Sequence, residues 1–469
     1  MATSLKTKKV HTHDSGAFSE TVEYKILHCS VVEGNSNKFY AAELQKNPST
    51  GNYRIFTHYG RLGVTDVYEI REQTPAGTPI SNLTYAKQEF DKLVSQKLKK
   101  RSNSGSTPYQ YFEVQVAVPK VGSTNIRGKN IGSVEVIQTT KIATADIVEP
   151  TLRRLIDQVV EENIHHIKTV TALTLTSSGF ETPLGPVTST QVDKARGVLQ
   201  SLQKMLKKGT LDPEDSMVRD SNNTYYSLIP HDFGSKIQKS DWILDEAKLI
   251  EENDLLDQLA AAVQMGSSIG SSTQDKISKL GIDIELVTDK KDVDRVKAYI
   301  IRSRSSNHSG VFRWEPKNVF KLRIPKERER YEKEGVPLGN VKELFHGSRN
   351  CNIMSIMLNG LIIPPCNAPG VTGRMFGDGL YYADSSTKSM NYSLGNWGGS
   401  RNKYPNAFLF LANVALGKSH LAKRALYTGV PKGYNSIFAE GGADLINNEY
   451  IVPSLHQATM TYLVEMADK

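Results

Sequence analysis

The chain has 469 residues, a net charge of +8, 38% hydrophobic and 23% charged residues. That length exceeds one hydrophobic core and predicts two to four domains, and the composition excludes wholesale disorder. No apolar run approaches the ~20 residues of a membrane-spanning helix. The three cysteines, Cys29, Cys351 and Cys366, exclude a disulfide framework or Cys-rich zinc site and fit a reducing intracellular compartment. The first residues lack the apolar core of a secretory signal. Residues 1–110 hold 15 Lys/Arg against 10 Asp/Glu, so the N-terminal quarter carries most of the excess charge. This suits a polyanionic partner or a solvated basic surface.

Residues 1–20 are polar, with Lys6, Lys8 and Lys9 clustered, and read as a flexible basic tail. From Tyr24 the pattern becomes β-like: residues 24–32, 38–44 and 53–57 are short runs rich in aromatic and β-branched residues, two of them separated by the turn cluster Asn47–Asn52. Ala86–Leu98 reads as an amphipathic helix with Phe90, Leu93, Val94 and Leu98 on one face, and Phe112–Val118 as a closing strand.

A helical block follows. Leu152, Leu155, Ile156, Val159, Val160, Ile164 and Ile167 recur at helical spacing. A second helix begins at Thr188-Ser189-Thr190-Gln191, which has capping-box form, and stops at Gly209. A third spans about 244–265, and Gly266–Ser272 reads as a flexible linker. Beyond it the pattern is mixed α/β. Phe408–Val414 is a buried central strand, with further strands at 450–452 and 460–464.

Three clusters near the C-terminus carry chemistry: Leu344–Arg349, Gly373–Asp384 running on to Lys388–Tyr392, and Asn448–Val452. Together they offer one imidazole, several aromatic faces, small hydroxyls and one carboxylate at the head of a strand. A reaction at a positively charged ribosyl centre needs these groups: aromatic faces and an amide partner for a flat leaving group, and a carboxylate near an oxocarbenium-like transition state. Each cluster alone also fits a turn, core packing or a solvated strand end.

Taken in order, His346-Gly347-Ser348, Gly379-Leu380-Tyr381-Tyr382-Ala383-Asp384, Lys388-Ser389-Met390-Asn391-Tyr392 and Asn448-Glu449-Tyr450-Ile451-Val452 closely resemble the catalytic domain of the poly(ADP-ribose) polymerases. Tyr225–Gly234 and Thr182-Pro183-Leu184-Gly185 are similar to that family's helical regulatory domain. His58-Tyr59-Gly60-Arg61-Leu62-Gly63 resembles the core of a WGR domain, with Tyr59 in place of the name-giving Trp. The resemblance covers roughly residues 21–469.

The resemblance implies a multidomain α+β protein: a tail to residue 20, a β-rich WGR-like nucleic-acid-binding domain at 21–120 and a linker at 121–146. An all-α regulatory bundle at 147–265, a linker at 266–275 and a mixed α/β catalytic domain with central antiparallel sheets at 276–469 follow. It implies NAD⁺ as substrate, no metal, and transfer of ADP-ribose to protein acceptors, the chain itself included. His346, Tyr381 and Glu449 would form the catalytic triad. His346 would bond the adenosine ribose, and Gly347 and Ser389 the carboxamide. Tyr381 and Tyr392 would flank the nicotinamide, while Glu449 steadies developing positive charge. Ser348, Arg349, Arg374 and Lys388 complete the expected NAD⁺-binding set.

Lys38, Arg54, Tyr59, Gly60 and Arg61 would meet DNA strand breaks, and the helical domain would shield the NAD⁺ site until DNA binds. The expected state is a monomer away from membranes, nuclear in a eukaryotic cell. A mono-ADP-ribosyltransferase and a DNA-end-binding scaffold with weak activity are the alternatives. The chain departs from the family pattern at Ile362, Arg374 and an apparently inserted Gly370, and in a short span from Lys418 to Glu449.

Overall fold

The computed structural model describes residues 4–31, 36–61, 65–100, 109–114, 116, 118–129, 148–176, 179–182, 184–206, 208–209, 211–233, 238–363, 375–397 and 404–469. They fall into two compact units. One comprises residues 1–139, 168–202 and 211–244, the other residues 140–167, 203–210 and 245–469.

The first unit is built on a six-stranded antiparallel sheet of β1 (Lys6–Val10), β2 (Glu20–Val31), β3 (Ser36–Lys46), β4 (Tyr53–Arg61), β5 (Thr65–Gln73) and β6 (Phe112–Glu113), in the order β1-β5-β4-β3-β2-β6. Helix α1 (Leu83–Leu98) starts where the Asn82 side chain accepts from Tyr85 N. Its Ala86, Phe90 and Val94, one turn apart, bury against Leu27, Tyr40, Leu44 and Ile55. Phe39 and Ala41 alternate to the other face and meet Ile26, Val114, Val116 and Val121.

Two expectations for this unit are corrected. Residues 6–10 are not a tail: they form an edge strand paired with β5, and the buried Leu5 joins the α1 core. Backbone pairing needs no apolar side chain, and exposed lysines suit an edge that must not recruit further strands. The stretch expected as linker is ordered where described, at 121–129. Ser123 is fully buried, its Oγ donating to Glu43 Oε2 at 2.6 Å, and Gly122 N donates to His58 Nδ1 at 2.9 Å. Gly122 has φ +104°, and a side chain there would collide with Ile126 and Glu43.

Next in chain order come α2 (Pro150–Val170), the short strands β7 (Thr174–Thr176), β8 (Gly179–Thr182) and β9 (Gly185–Pro186), then α3 (Ser189–Leu206), α4 (Ser216–Leu228), α5 (Glu246–Met265) and α6 (Thr273–Leu280). Most of α3 and all of α4 belong to the first unit; most of α2 and all of α5 belong to the second. Thr188 Oγ1 accepts from Gln191 N as a cap, but the Gln191 amide does not return to complete the box. It donates to Leu228 O at 2.5 Å and fixes the end of α4. The expected flexible linker at 266–272 is instead a 3₁₀ turn leading into α6. The same Gly/Ser composition serves as caps: Gly266 at φ +51° ends α5 and Ser272 starts α6.

In the second unit follow β10 (Asp283–Leu286), α7 (Lys290–Arg302), β11 (Trp314–Arg323), α8 (Pro325–Arg330), β12 (Val341–Gly347), α9 (Ile353–Asn359), β13 (Leu380–Tyr382) and α10 (Ser386–Ser393). The chain ends with β14 (Asn406–Ala415), β15 (Ser419–Ala422), β16 (Ser436–Ala439), β17 (Glu449–Val452) and β18 (Ala458–Asp468). One sheet runs β10-β11-β18-β14-β12 and the other β13-β17-β16-β15. All pairs are antiparallel except β15 with β16. Phe408–Leu411 of β14 are wholly buried, as expected of a central strand covered on both faces. A bridge between Phe345 and Ala383 joins the two sheets where β12 ends. No helix among the described residues is long and apolar enough to cross a membrane.

Candidate active site

That bridge joins the first two sequence clusters, and the pairing of β13 with β17 adds the third. His346 lies at the end of β12, and its Nδ1 donates to Tyr381 O of β13 at 3.0 Å. A carbonyl can only accept, so the imidazole carries its proton on Nδ1 and leaves Nε2 as an acceptor. Burial lowers the His346 pKa, which favours this neutral form. The Tyr381 hydroxyl donates to Gly377 O at 2.7 Å and accepts from Phe376 N at 3.2 Å, which locks the ring.

Gly347 packs so closely on the Ser389 backbone of α10 that no Cβ fits. Ser389 is buried. Tyr392, one turn further on, has its hydroxyl pKa raised by burial and by the charge of Glu449, which places the two side chains in one electrostatic environment.

Tyr382 pairs with Tyr450, so Glu449 enters β17 just beyond this register. It is buried, with Oε1 2.6 Å from Lys388 Nζ; the two side chains are 8% and 7% exposed. Burial raises the Glu449 pKa and lowers that of Lys388, while their mutual attraction opposes both shifts. Lys388 also reaches the carbonyls of Asn447 and Asn448, each at 3.4 Å. The Asn448 amide and Tyr450 hydroxyl both bond Asp384 Oδ2, at 2.9 and 3.1 Å. The sequence clusters contain Asp384 and Asn448 but give no sign of this clamp.

Other expected residues fall differently. Ser348 Oγ accepts from Asn352 at 3.2 Å. Arg349 donates to Asp254 Oδ2 of α5 at 2.8 Å, which ties its guanidinium to that helix. Around this pair lies a polar seam invisible in the sequence. Gln258 donates to Asn352 Oδ1 at 2.6 Å, His166 Nδ1 bonds Gln258 Oε1 at 2.7 Å, and Asn163 donates to Cys351 O at 3.3 Å. Helix α2 is further tied by Arg154, which donates to both carboxylate oxygens of Glu465 at 2.9 and 2.8 Å. Ile362 is exposed. Gly370 and Arg374 lie outside the described residues, as do Leu62, Gly63, Pro183 and Gly234.

In the first unit, Lys38 and Arg61 are directly opposite on β3 and β4, as are Tyr40 and Tyr59. Gly60, partly exposed, lies between Tyr59 and the exposed Arg61 on β4. Tyr59 stacks on Tyr40 at 5.5 Å between centroids and donates to Glu69 Oε1 at 2.9 Å. Burial and Glu69 push its pKa up to about 12. Lys97 Nζ sits 4.2 Å from the Tyr40 ring centroid. Arg54 is a correction. It is 8% exposed and donates to Gln45 Oε1 at 2.8 Å and Ser15 O at 2.5 Å, so it braces the sheet interior and is not turned to a phosphate.

Residues 290–444 match the poly(ADP-ribose) polymerase catalytic domain, residues 148–283 the poly(ADP-ribose) polymerase regulatory domain and residues 25–107 the WGR domain. Poly [ADP-ribose] polymerase 1 of Danio rerio is 25% identical over 93% of this chain and 44% of its own length. The Arabidopsis thaliana protein of that name is 25% identical over 99% of this chain and 50% of its own. Poly [ADP-ribose] polymerase 2-B of Oryza sativa subsp. japonica is 24% identical over 93% of this chain and 70% of its own. The chain thus spans about half the length of the first two relatives.

Proposed function

The chain belongs to the poly(ADP-ribose) polymerase family, and from that premise we propose that it releases nicotinamide from NAD⁺ and transfers ADP-ribose to protein acceptors and growing chains. The observation that carries this reading is the buried Lys388–Glu449 pair at the head of β17, beside Tyr392 and next to the strand of Tyr381. Glu449 would face the oxocarbenium-like centre and orient the acceptor hydroxyl. A carboxylate so placed in a water-poor site contributes ~3–4 kcal/mol. Neutral His346 would accept a ribose hydroxyl at Nε2. The Gly347 backbone and Ser389 hydroxyl would hold the carboxamide, with Tyr381 and Tyr392 flanking the nicotinamide ring.

The regulatory reading rests on the seam of α2 and α5 against residues 349–352, directly after Gly347 and Ser348. While Asp254, Gln258 and Asn163 grip this segment, it holds the closed arrangement. Binding of DNA strand breaks at Lys38, Tyr59, Gly60 and Arg61 would release it. The activity would then reside in the nucleus of a eukaryotic cell, with the chain itself among the acceptors and the monomer as the working form. The span from Lys418 to Glu449 holds only β15, β16 and their connections. That small acceptor side favours short products, and mono-ADP-ribosyl transfer is the second reading.

Incubation of the purified chain with labelled NAD⁺, with and without nicked duplex DNA at two salt concentrations, tests both. A DNA-dependent smear of product supports polymer synthesis, and a sharp band supports single transfer. Absence of NAD⁺ consumption in every condition overturns the reading.

A further inference from the structure

We propose that His308, outside every sequence cluster above, is a positioning residue for this reaction, its imidazole joining the wall behind Tyr392 to the segment that carries Glu449. The assignment rests on the transferase reading. His308 lies in the 3₁₀ turn Ser306–Val311 between α7 and β11 and is 9% exposed. The start of the turn and the end of α7 before it are held against α10, where Ser305 N donates to Thr387 Oγ1 at 2.9 Å and Ser386 Oγ donates to Ile300 O at 2.7 Å.

The ring has two attachments. One is aromatic: it meets Trp397 edge-on at 5.0 Å, and Trp397 meets Tyr392 edge-on at 5.2 Å. Trp397 is still 38% exposed, so the solvent side of the Tyr392 support depends on what backs the indole. The other is polar: Nε2 is hydrogen-bonded to the Asn447 side-chain amide. The Asn447 carbonyl in turn lies 3.4 Å from Lys388 Nζ, which holds Glu449. Burial and the Lys388 charge lower the His308 pKa and keep the ring neutral, so Nε2 stays available to the amide N–H.

A phenylalanine would serve the first attachment and a glutamine the second; a neutral imidazole serves both. The two functions are therefore separable by substitution. In the full-length chain with nicked DNA, nicotinamide release is followed against NAD⁺ concentration, with nicotinamide as the competing ligand. His308→Phe keeps the aromatic support and loses the amide bond, so kcat falls ~10-fold with KM and nicotinamide inhibition nearly unchanged. His308→Gln keeps the bond and loses the support, so KM and the nicotinamide inhibition constant rise ~10-fold with kcat nearly unchanged.

Asn447→Ala and Trp397→Ala report the same two arms without altering the turn, and must reproduce the Phe and Gln phenotypes respectively. Parallel loss of kcat and affinity in both His308 variants, or no change in either, overturns the assignment while leaving the transferase reading intact. A wild-type chain that releases no nicotinamide overturns that reading and this assignment together.

Discussion

Lys388 and Glu449 form an ion pair of 2.6 Å in a place where water reaches neither side chain appreciably. Glu449→Gln leaves the ammonium without its anion but preserves the shape of the pocket. We expect kcat for nicotinamide release to fall by ~10²–10³, the scale for loss of one electrostatic group, while NAD⁺ still binds. Steady-state kinetics and calorimetric titration check this. Long polymer from the purified variant contradicts it.

Helix α2 is held by two carboxylates with opposite pH behaviour. Burial raises the Glu465 pKa, but bonds from Arg154, Asn318 and Asn406 more than offset it, leaving it at about 2. Its contribution is complete above the ordinary value of 4.5 and is lost as pH falls through about 2. Burial raises Glu162 to about 7, against bonds from Gln158 and Asn350. That contribution is complete below 4.5 and is lost as pH rises through about 7, amounting to ~3 kcal/mol well above it. Amide exchange in residues 152–163, corrected for its intrinsic pH dependence, should accelerate as pH rises from 4.5 to about 7 and level off above that, and Glu162→Gln should remove that acceleration. A flat wild-type profile sinks the idea.

Asp254→Ala deprives Arg349 of its partner and loosens α5 from the segment after Ser348. A hydrogen bond to a charged group is worth about 1.5–3 kcal/mol. DNA-independent turnover should therefore rise on the order of tenfold, with the DNA-stimulated rate little changed. Unaltered basal turnover, with the variant folded, would separate this contact from gating.

Arg61 and Arg54 lie on one strand and should behave oppositely. Arg61→Ala should weaken DNA stimulation and reduce the slope of log affinity against log salt by about one. Arg54→Ala should lower the melting temperature of the first unit by removing its bonds to Gln45 and Ser15, with the salt slope unchanged. Binding titrations at several salt concentrations and thermal unfolding distinguish the two.

The regular elements were legible where period and caps agreed. The α1 face of Phe90 and Val94, the buried run of β14 and the start of α3 follow directly from spacing. What escaped depended on pairing at a distance. Lys6–Val10 looks like a solvated tail because its partner is the backbone of β5. Arg54 looks like a phosphate ligand because its carbonyl acceptor, Ser15, lies 39 residues away. Likewise, the Arg349–Asp254 pair joins residues 95 positions apart and has no local signature. The motifs around His346, Tyr381 and Glu449 were legible because they occur in order, and strand pairing links the segments that carry them. His308 carries no motif, and only its neighbours give it meaning.

The lysine-rich strand β1 also has a practical consequence. It covers the outer hydrogen-bonding edge of β5 along Tyr68, Ile70 and Gln73. A protein clipped after Val10, or fused so that this segment is pulled away, presents that edge bare. Such a preparation should self-associate through strand pairing, and any change in its response to DNA would then be mistaken for a defect in the second unit.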